Sequence, residues 1–266
     1  MSIDGDGATS LFQRKCEAVQ QYALRHVCDS GELGFPWFSD DLPLYATAHQ
    51  MMLGATAVLL TLLFCFGYRR GALVPSGLSN LLEFFVQFIR DEIAVRFLGE
   101  KDGRRFTPLF CSLFFFILAM NLLSLIPGMP AATANVNVTG ALAAITLGFM
   151  LFGGMARTGF FGFFKGLVPE GIPWPIRLML APVELLSVFS KTFTLMIRLF
   201  ANLFAGHMVL LLVIGMSFIL GLWTTPLIVL VGALIYVIEL GIAFLQAYIF
   251  TLLSAIFIAE RLQPGH

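Results

Sequence analysis

One arginine stands alone in the oiliest part of this chain. Arg198 lies in the run Thr194-Leu-Met-Ile-Arg198-Leu-Phe-Ala-Asn202-Leu-Phe-Ala-Gly-His207, and from Leu199 to Ile238 forty residues pass without an Asp, Glu, Lys or Arg. A guanidinium does not lose its charge, and at bilayer depth it is costly unless it faces protein, water or a counter-charge. An intramembrane arginine therefore points to a site that handles charge, the competing reading being a buried structural ion pair.

The other polar residues near it are few, and they are spaced. Glu184, Lys191 and Arg198 recur at intervals of seven, which returns a helix to nearly the same face. Asn202 is one turn beyond Arg198 and Gly206 continues the row. His207 is nine residues past Arg198, on the opposite side of the helix and about 13 Å further along. In the following apolar segment Glu239 and Gln246 are again seven apart, with Tyr236 one turn before Glu239. If the two segments form an antiparallel hairpin turning near residue 221, His207 comes to the level of Glu239, and Arg198 to that of Gln246. A buried histidine beside a carboxylate is a proton-relay pairing, because imidazole titrates near neutral pH. Each pair alone reads as a satisfied core contact. Two polar stripes offset in depth and divided by one arginine read as a pathway for ions.

The elements that must position these groups are membrane helices. With 58% apolar, 14% aromatic and 12% charged residues, the chain is too oily for a soluble domain of 266 residues, and its 28 Phe against 5 Tyr suit a surface meeting lipid tails. The expected class is an all-α polytopic membrane protein with spans at about 46–68, 106–126, 138–156, 178–214 and 226–261. Residues 46–266 form one integral membrane domain, and 1–45 an extramembrane tail. Leu78 to Phe97 alternates Leu81, Phe84, Phe85 and Phe88 with Glu83, Arg90 and Asp91, as an amphipathic surface helix does. The Phe- and Gly-rich stretch from Thr158 to Lys165 reads as a connection. The last two spans, thirty-seven and thirty-six residues, would each be about 55 Å long against a hydrocarbon core of about 30 Å. They must tilt strongly, as a wall built against something curved.

Seven Lys/Arg between Arg69 and Arg105 and three between Arg157 and Arg177, against none in 127–137 and 216–226, place the N-terminus outside and the C-terminus inside. Zero net charge and the lack of a basic block exclude nucleic acid as a partner. Neither a secretory signal nor an Arg-rich transit peptide is read at the start. Cys16, Cys28, Cys65 and Cys111 show no metal-ligand spacing; they are packing residues, Cys16 and Cys28 having the option of pairing on an oxidising side.

Arg198-Leu-Phe-Ala-Asn202-Leu-Phe-Ala-Gly-His207 closely resembles the signature of subunit a of the F-type rotary ATP synthase. The resemblance extends to Pro75-Ser-Gly-Leu-Ser-Asn80 with Glu83, to Asn121-Leu-Leu-Ser-Leu-Ile-Pro127-Gly, to Glu184 and Lys191, and to Leu245-Gln246-Ala-Tyr-Ile-Phe250, over roughly residues 75 to 262. It implies a stator subunit beside a ring of c subunits, each with a membrane carboxylate, tied to peripheral-stalk b subunits and reached by two offset half-channels. Arg198 would face the ring between them; Asn202, His207, Glu239 and Gln246 would line the external half-channel, with Tyr236 beside Glu239, and Glu184 and Lys191 the cytoplasmic one. No cofactor, metal or directly bound nucleotide is implied. Many bacterial members carry an acidic residue at the position of His207 and a histidine at that of Glu239; here the two are exchanged, as in mitochondrial members. A bacterial inner membrane is the expected location, a mitochondrial one the alternative.

Two other functions compete. A stand-alone secondary transporter or channel with an intramembrane arginine site would be expected to carry internal repeats and broken helices, and no repeat is evident. A scaffold subunit without conduction would make the polar stripes mere packing pairs. GxxxxGK[ST] is absent, so ATP chemistry would reside in other subunits.

Overall fold

The computed structural model describes residues 48–67, 77–126, 133, 135–166, 174–220 and 223–262, with isolated residues among 13–21. Apart from those, the tail expected over 1–45 lies outside the described residues, as do Cys16 and Cys28. Every regular element among the described residues is helical: α1 (Ala48–Gly67), α2 (Leu78–Phe88) running into a π-helical segment (Ile89–Val95), α3 (Arg96–Ser124), α4 (Val136–Gly166), α5 (Trp174–Leu220) and α6 (Thr225–Leu262). Four stretches are long and apolar enough to cross a membrane, within Leu78–Ser124, Val136–Met155, Pro182–Met216 and Thr225–Leu262, and Gln50–Phe66 is a shorter apolar helix. This is an all-α polytopic membrane protein.

The chain folds as two compact units. One comprises Met1–Thr56, Leu118–Asn135 and Phe200–Leu245. The other comprises Ala57–Ile117, Val136–Leu199 and Gln246–His266. The first unit buries Met120, Leu125, Leu203 and Ala243, and among them an unusual set of polar side chains: Asn121, Ser124, Thr133, His207 and Glu239. The second is built on phenylalanine. Phe114 meets Phe115 edge-on at 5.4 Å, Phe64 meets Phe115 at 5.1 Å, and Phe106 meets Phe149 at 6.3 Å, geometries that suit the ring quadrupole. The α4 and α6 hydroxyls of Thr146 and Ser254 bond at 3.1 Å in the same core.

Four boundaries differ from the sequence expectation. The amphipathic helix expected at 78–97 is α-helical only to Phe88 and then widens into the π-helical turns. Its inward face is Leu82, Ile89 and Ile93, while Leu81 and Phe84 point outward at 53% and 61% exposure. Both belong to the apolar face of the amphipathic helix, which a surface helix turns toward lipid, and the wider turns begin only after them. The charges form local ladders: Arg90 with Asp91, Arg96 with Glu92, and Arg104 with Glu100. Helix geometry resumes in α3 before the expected start at 106, broken at Gly99, whose φ of 78° favours glycine. Beyond the break the backbone comes back so close that a methyl at Gly103 would lie 2.6 Å from the Val95 Cα.

The stretch Thr158 to Lys165, expected as a connection, is helical on both sides of a second break at Gly159. Helix α5 begins at Trp174 rather than 178, because Pro175 falls in the first turn, where a missing N–H costs no bond. At 47 and 38 residues α5 and α6 are about 70 and 57 Å long.

Candidate functional site

In the first unit, the end of α3, the second half of α5 and the first half of α6 bring polar groups together inside an apolar surround. His207 is buried, and its Nε2 lies 3.3 Å from Ser124 Oγ. Ser124 donates to the Asn121 carbonyl at 2.7 Å. The Asn121 side chain accepts from Thr133 Oγ1 at 3.0 Å and donates to the Ala243 carbonyl at 3.4 Å, one turn beyond Glu239. Glu239 is 6% exposed, and its carboxylate abuts Gly206, the neighbour of His207: a methyl built there would lie 2.5 Å from Oε1. Neither carboxylate oxygen has a hydrogen bond among the described residues. His207 and Glu239 thus share one cluster with no hydrogen bond joining them. Asn202 is exposed on α5, and Tyr236 is 37% exposed on α6.

The second unit holds the remaining charges, and most are satisfied. Arg261 Nη2 bonds Glu184 Oε1 at 2.5 Å, and Lys191 Nζ reaches both oxygens of Glu260 at 2.8 and 2.7 Å. Lys191 also lies 5.8 Å from the Phe257 ring centre. The pairs differ in depth: the Arg261 side chain is 7% exposed and that of Glu184 29%, whereas Lys191 and Glu260 are 27% and 41% exposed. Gln246 is buried at 2%. Arg198, half-buried on α5, makes no hydrogen bond or ion pair among the described residues. Of the row Glu184, Lys191 and Arg198, then, two members are closed by α6 and one is not.

Sequence spacing did not single out Glu260, Arg261, Ser124, Asn121 or Thr133. The adjacent charges Glu260 and Arg261 at the end of an apolar helix are a usable signal, since each needs a partner there. Asn121 and Ser124 stand three apart at a helix end, where a hydroxyl can take up an orphan carbonyl. Thr133 offers no such signal.

A protein-family model described as ATP synthase A chain matches residues 50–259. Among similar proteins, ATP synthase subunit a of Anaeromyxobacter sp. (strain Fw109-5) is 43% identical over 218 residues, covering 80% of this chain and 53% of the relative. That of Myxococcus xanthus (strain DK1622) is 41% identical over 232 residues, 85% of this chain and 75% of the relative. That of Chloroherpeton thalassium (strain ATCC 35110 / GB-78) is 37% identical over 251 residues, 89% and 75%. The chain therefore spans about half to three quarters of the length of these relatives. The matched region holds every polar residue described above except Glu260 and Arg261, and the chain belongs to the ATP synthase subunit a family.

Proposed function

We propose that this chain is the stator subunit of the membrane sector of a rotary ATP synthase, passing protons through two offset half-channels to and from the carboxylates of a c-ring. The observation that carries this reading is the contrast among the cations that α5 and α6 bring to the second unit. Lys191 and Arg261 have carboxylate partners within their own chain, and Arg198 has none among the described residues. A guanidinium at membrane depth needs a counter-charge, and a ring carboxylate supplies one from outside the chain. Ser190, Thr194, Ala201 and Ala205 are exposed around it on α5, and small residues let a partner helix approach closely.

The mechanism follows from electrostatics. At 4 Å and an effective dielectric of about 20, unlike charges attract by about 4 kcal/mol, enough to hold a carboxylate ionised beside Arg198. An approaching protonated carboxylate gives up its proton there. An ionised one does not enter lipid until it is protonated again, so proton flow becomes rotation. Asn202, His207, Glu239 and Gln246, with Tyr236 nearby, line the external half-channel, and Glu184 and Lys191 the cytoplasmic one. Arg198 blocks direct passage between them. The complex includes peripheral-stalk b subunits and sits in a bacterial inner membrane, in keeping with the bacterial relatives.

The test is Arg198→Ala in the complex reconstituted in liposomes. Assembly is retained, proton-driven synthesis is lost and passive proton leak rises, since a fixed charge is removed and no packing element. Arg198→Lys is an imperfect replacement, because an ammonium is compact, strongly hydrated and able to deprotonate when buried. An Arg198→Ala complex synthesising ATP near the normal rate would overturn the proposal.

A further inference from the structure

The contact between His207 and Ser124 has a direction. Its Nε2 to Oγ separation of 3.3 Å suits a bond donated by either group, and what decides is how the hydroxyl spends its proton. A serine has one O–H to donate, and Ser124 donates it to the Asn121 carbonyl at the shorter distance of 2.7 Å. That carbonyl needs a donor because the end of α3 tightens: the Leu125 N–H bonds the Leu122 carbonyl at 3.2 Å and the Ile126 N–H that of Leu123 at 3.1 Å. Such i→i+3 closure leaves the Asn121 carbonyl for a side chain to take up. Thr133 and Ala243 hold the Asn121 side chain and so fix the turn. With its proton committed, Ser124 offers His207 only lone pairs.

We infer that Ser124 is a positioning residue that fixes His207 as the Nε2–H tautomer, leaving Nδ1 as the ring atom that takes up and releases the transported proton. This rests on the reading of His207 as a member of the external half-channel. The cycle balances at one atom. A proton adds to the Nδ1 lone pair to give imidazolium and leaves from the same nitrogen, while the Nε2–H bond to Ser124 persists throughout. Among the described side chains of this unit, 50–56 and 118–135 bring no titratable group, α5 from Phe200 onward brings only His207, α6 brings Glu239, against Gly206, and Tyr236 one turn before it, and Arg14 and Glu17 are exposed in the tail. Loss of Ser124 therefore leaves Glu239 as the carboxyl that competes for the ring.

The test uses the whole ATP synthase in liposomes with wild-type, Ser124→Ala, Ser124→Thr or His207→Ala subunit, and histidine labelled at both ring nitrogens with a magnetically active isotope. In Ser124→Ala, synthesis under a fixed imposed gradient falls about fivefold, the equivalent of one ordinary hydrogen bond, and its dependence on external pH is displaced. Ser124→Thr, which retains the hydroxyl, restores both. The solid-state nitrogen signals that vanish in His207→Ala show a protonated Nε2 and a bare Nδ1 in the neutral wild-type ring, and an Nδ1–H population in Ser124→Ala. A wild-type ring protonated at Nδ1, or a Ser124→Ala complex with unchanged rate and pH profile, would overturn the inference. Should the extra methyl of threonine disturb packing, the nitrogen signals still decide. Normal synthesis in His207→Ala refutes the half-channel reading itself, whereas loss there beside an unaffected Ser124→Ala refutes the tautomer alone.

Discussion

Gly206→Ala separates stability from transport. In a helix interior the exchange favours the fold by about 1 kcal/mol through propensity. Against that stands the contact: the new methyl lies 2.5 Å from Glu239 Oε1 and 3.3 Å from its Cδ, where ordinary contact begins at 3.4 Å. The carboxylate must retreat by about 1 Å. It sits at the end of a flexible side chain, so the retreat is a torsional displacement costing of order 0.5–1.5 kcal/mol. The two effects nearly cancel, and the melting of the purified complex should stay within about 0.5 kcal/mol of wild type. Transport does not cancel, because a reacting group misplaced by about 1 Å can cost up to a hundredfold. Proton-driven synthesis in liposomes should fall at least tenfold. Glu239→Asp in the Gly206→Ala background withdraws the carboxylate by one methylene and should recover part of the rate. A Gly206→Ala complex of normal stability that still synthesises above half the wild-type rate would refute the claim that this approach sets the position of the Glu239 carboxylate.

Two further outcomes follow from the second unit and from helix length. Glu184→Ala strands the buried Arg261 guanidinium and should destabilise the subunit by about 3 kcal/mol, while Glu260→Ala, which breaks the more exposed pair with Lys191, should cost at most about 1 kcal/mol; equal losses in chemical denaturation would show that burial does not govern these pairs. Helices α5 and α6, about 70 and 57 Å long, should lie well beyond the usual tilt of about 20°, and electron cryomicroscopy of the complex in a lipid disc finding both within about 25° of the membrane normal would sink the tilted-wall reading.

The sequence made Arg198 conspicuous because a charge at the head of forty residues without Asp, Glu, Lys or Arg needs no coordinates to be noticed. Its status as the unmatched member of its row was not legible. Glu184 and Lys191 share its heptad spacing, and their partners Arg261 and Glu260 lie 77 and 69 residues further along, a separation at which only the packed register decides who meets whom. A one-residue difference in that register matters, since the helical period carries a side chain through roughly 100° per residue. The turn assumed near 221 levels His207 with Glu239 only approximately; the observed contact is between Gly206 and Glu239, symmetric about a point between 222 and 223. Glycine at that point read as a continuation of a stripe, and its consequence, room for a carboxylate, exists only once α6 is beside it. The end of α3 is a similar case. Asn121 and Ser124 belonged to a recognisable motif, but the tightened last turn that commits the serine proton is a backbone event with no residue of its own to announce it. Polar residues in an oily chain are thus easy to find and hard to rank, because their importance lies in which ones the chain leaves unsatisfied. Burial and hydrogen bonding divide those of α5 and α6 into charges that hold helices together and charges, Arg198 and Glu239, with no hydrogen bond or ion pair among the described residues. On physical grounds the second kind is where a proton or a counter-charge from outside the chain gains most, while Glu184 and Lys191 reach the cytoplasmic half-channel as groups already paired.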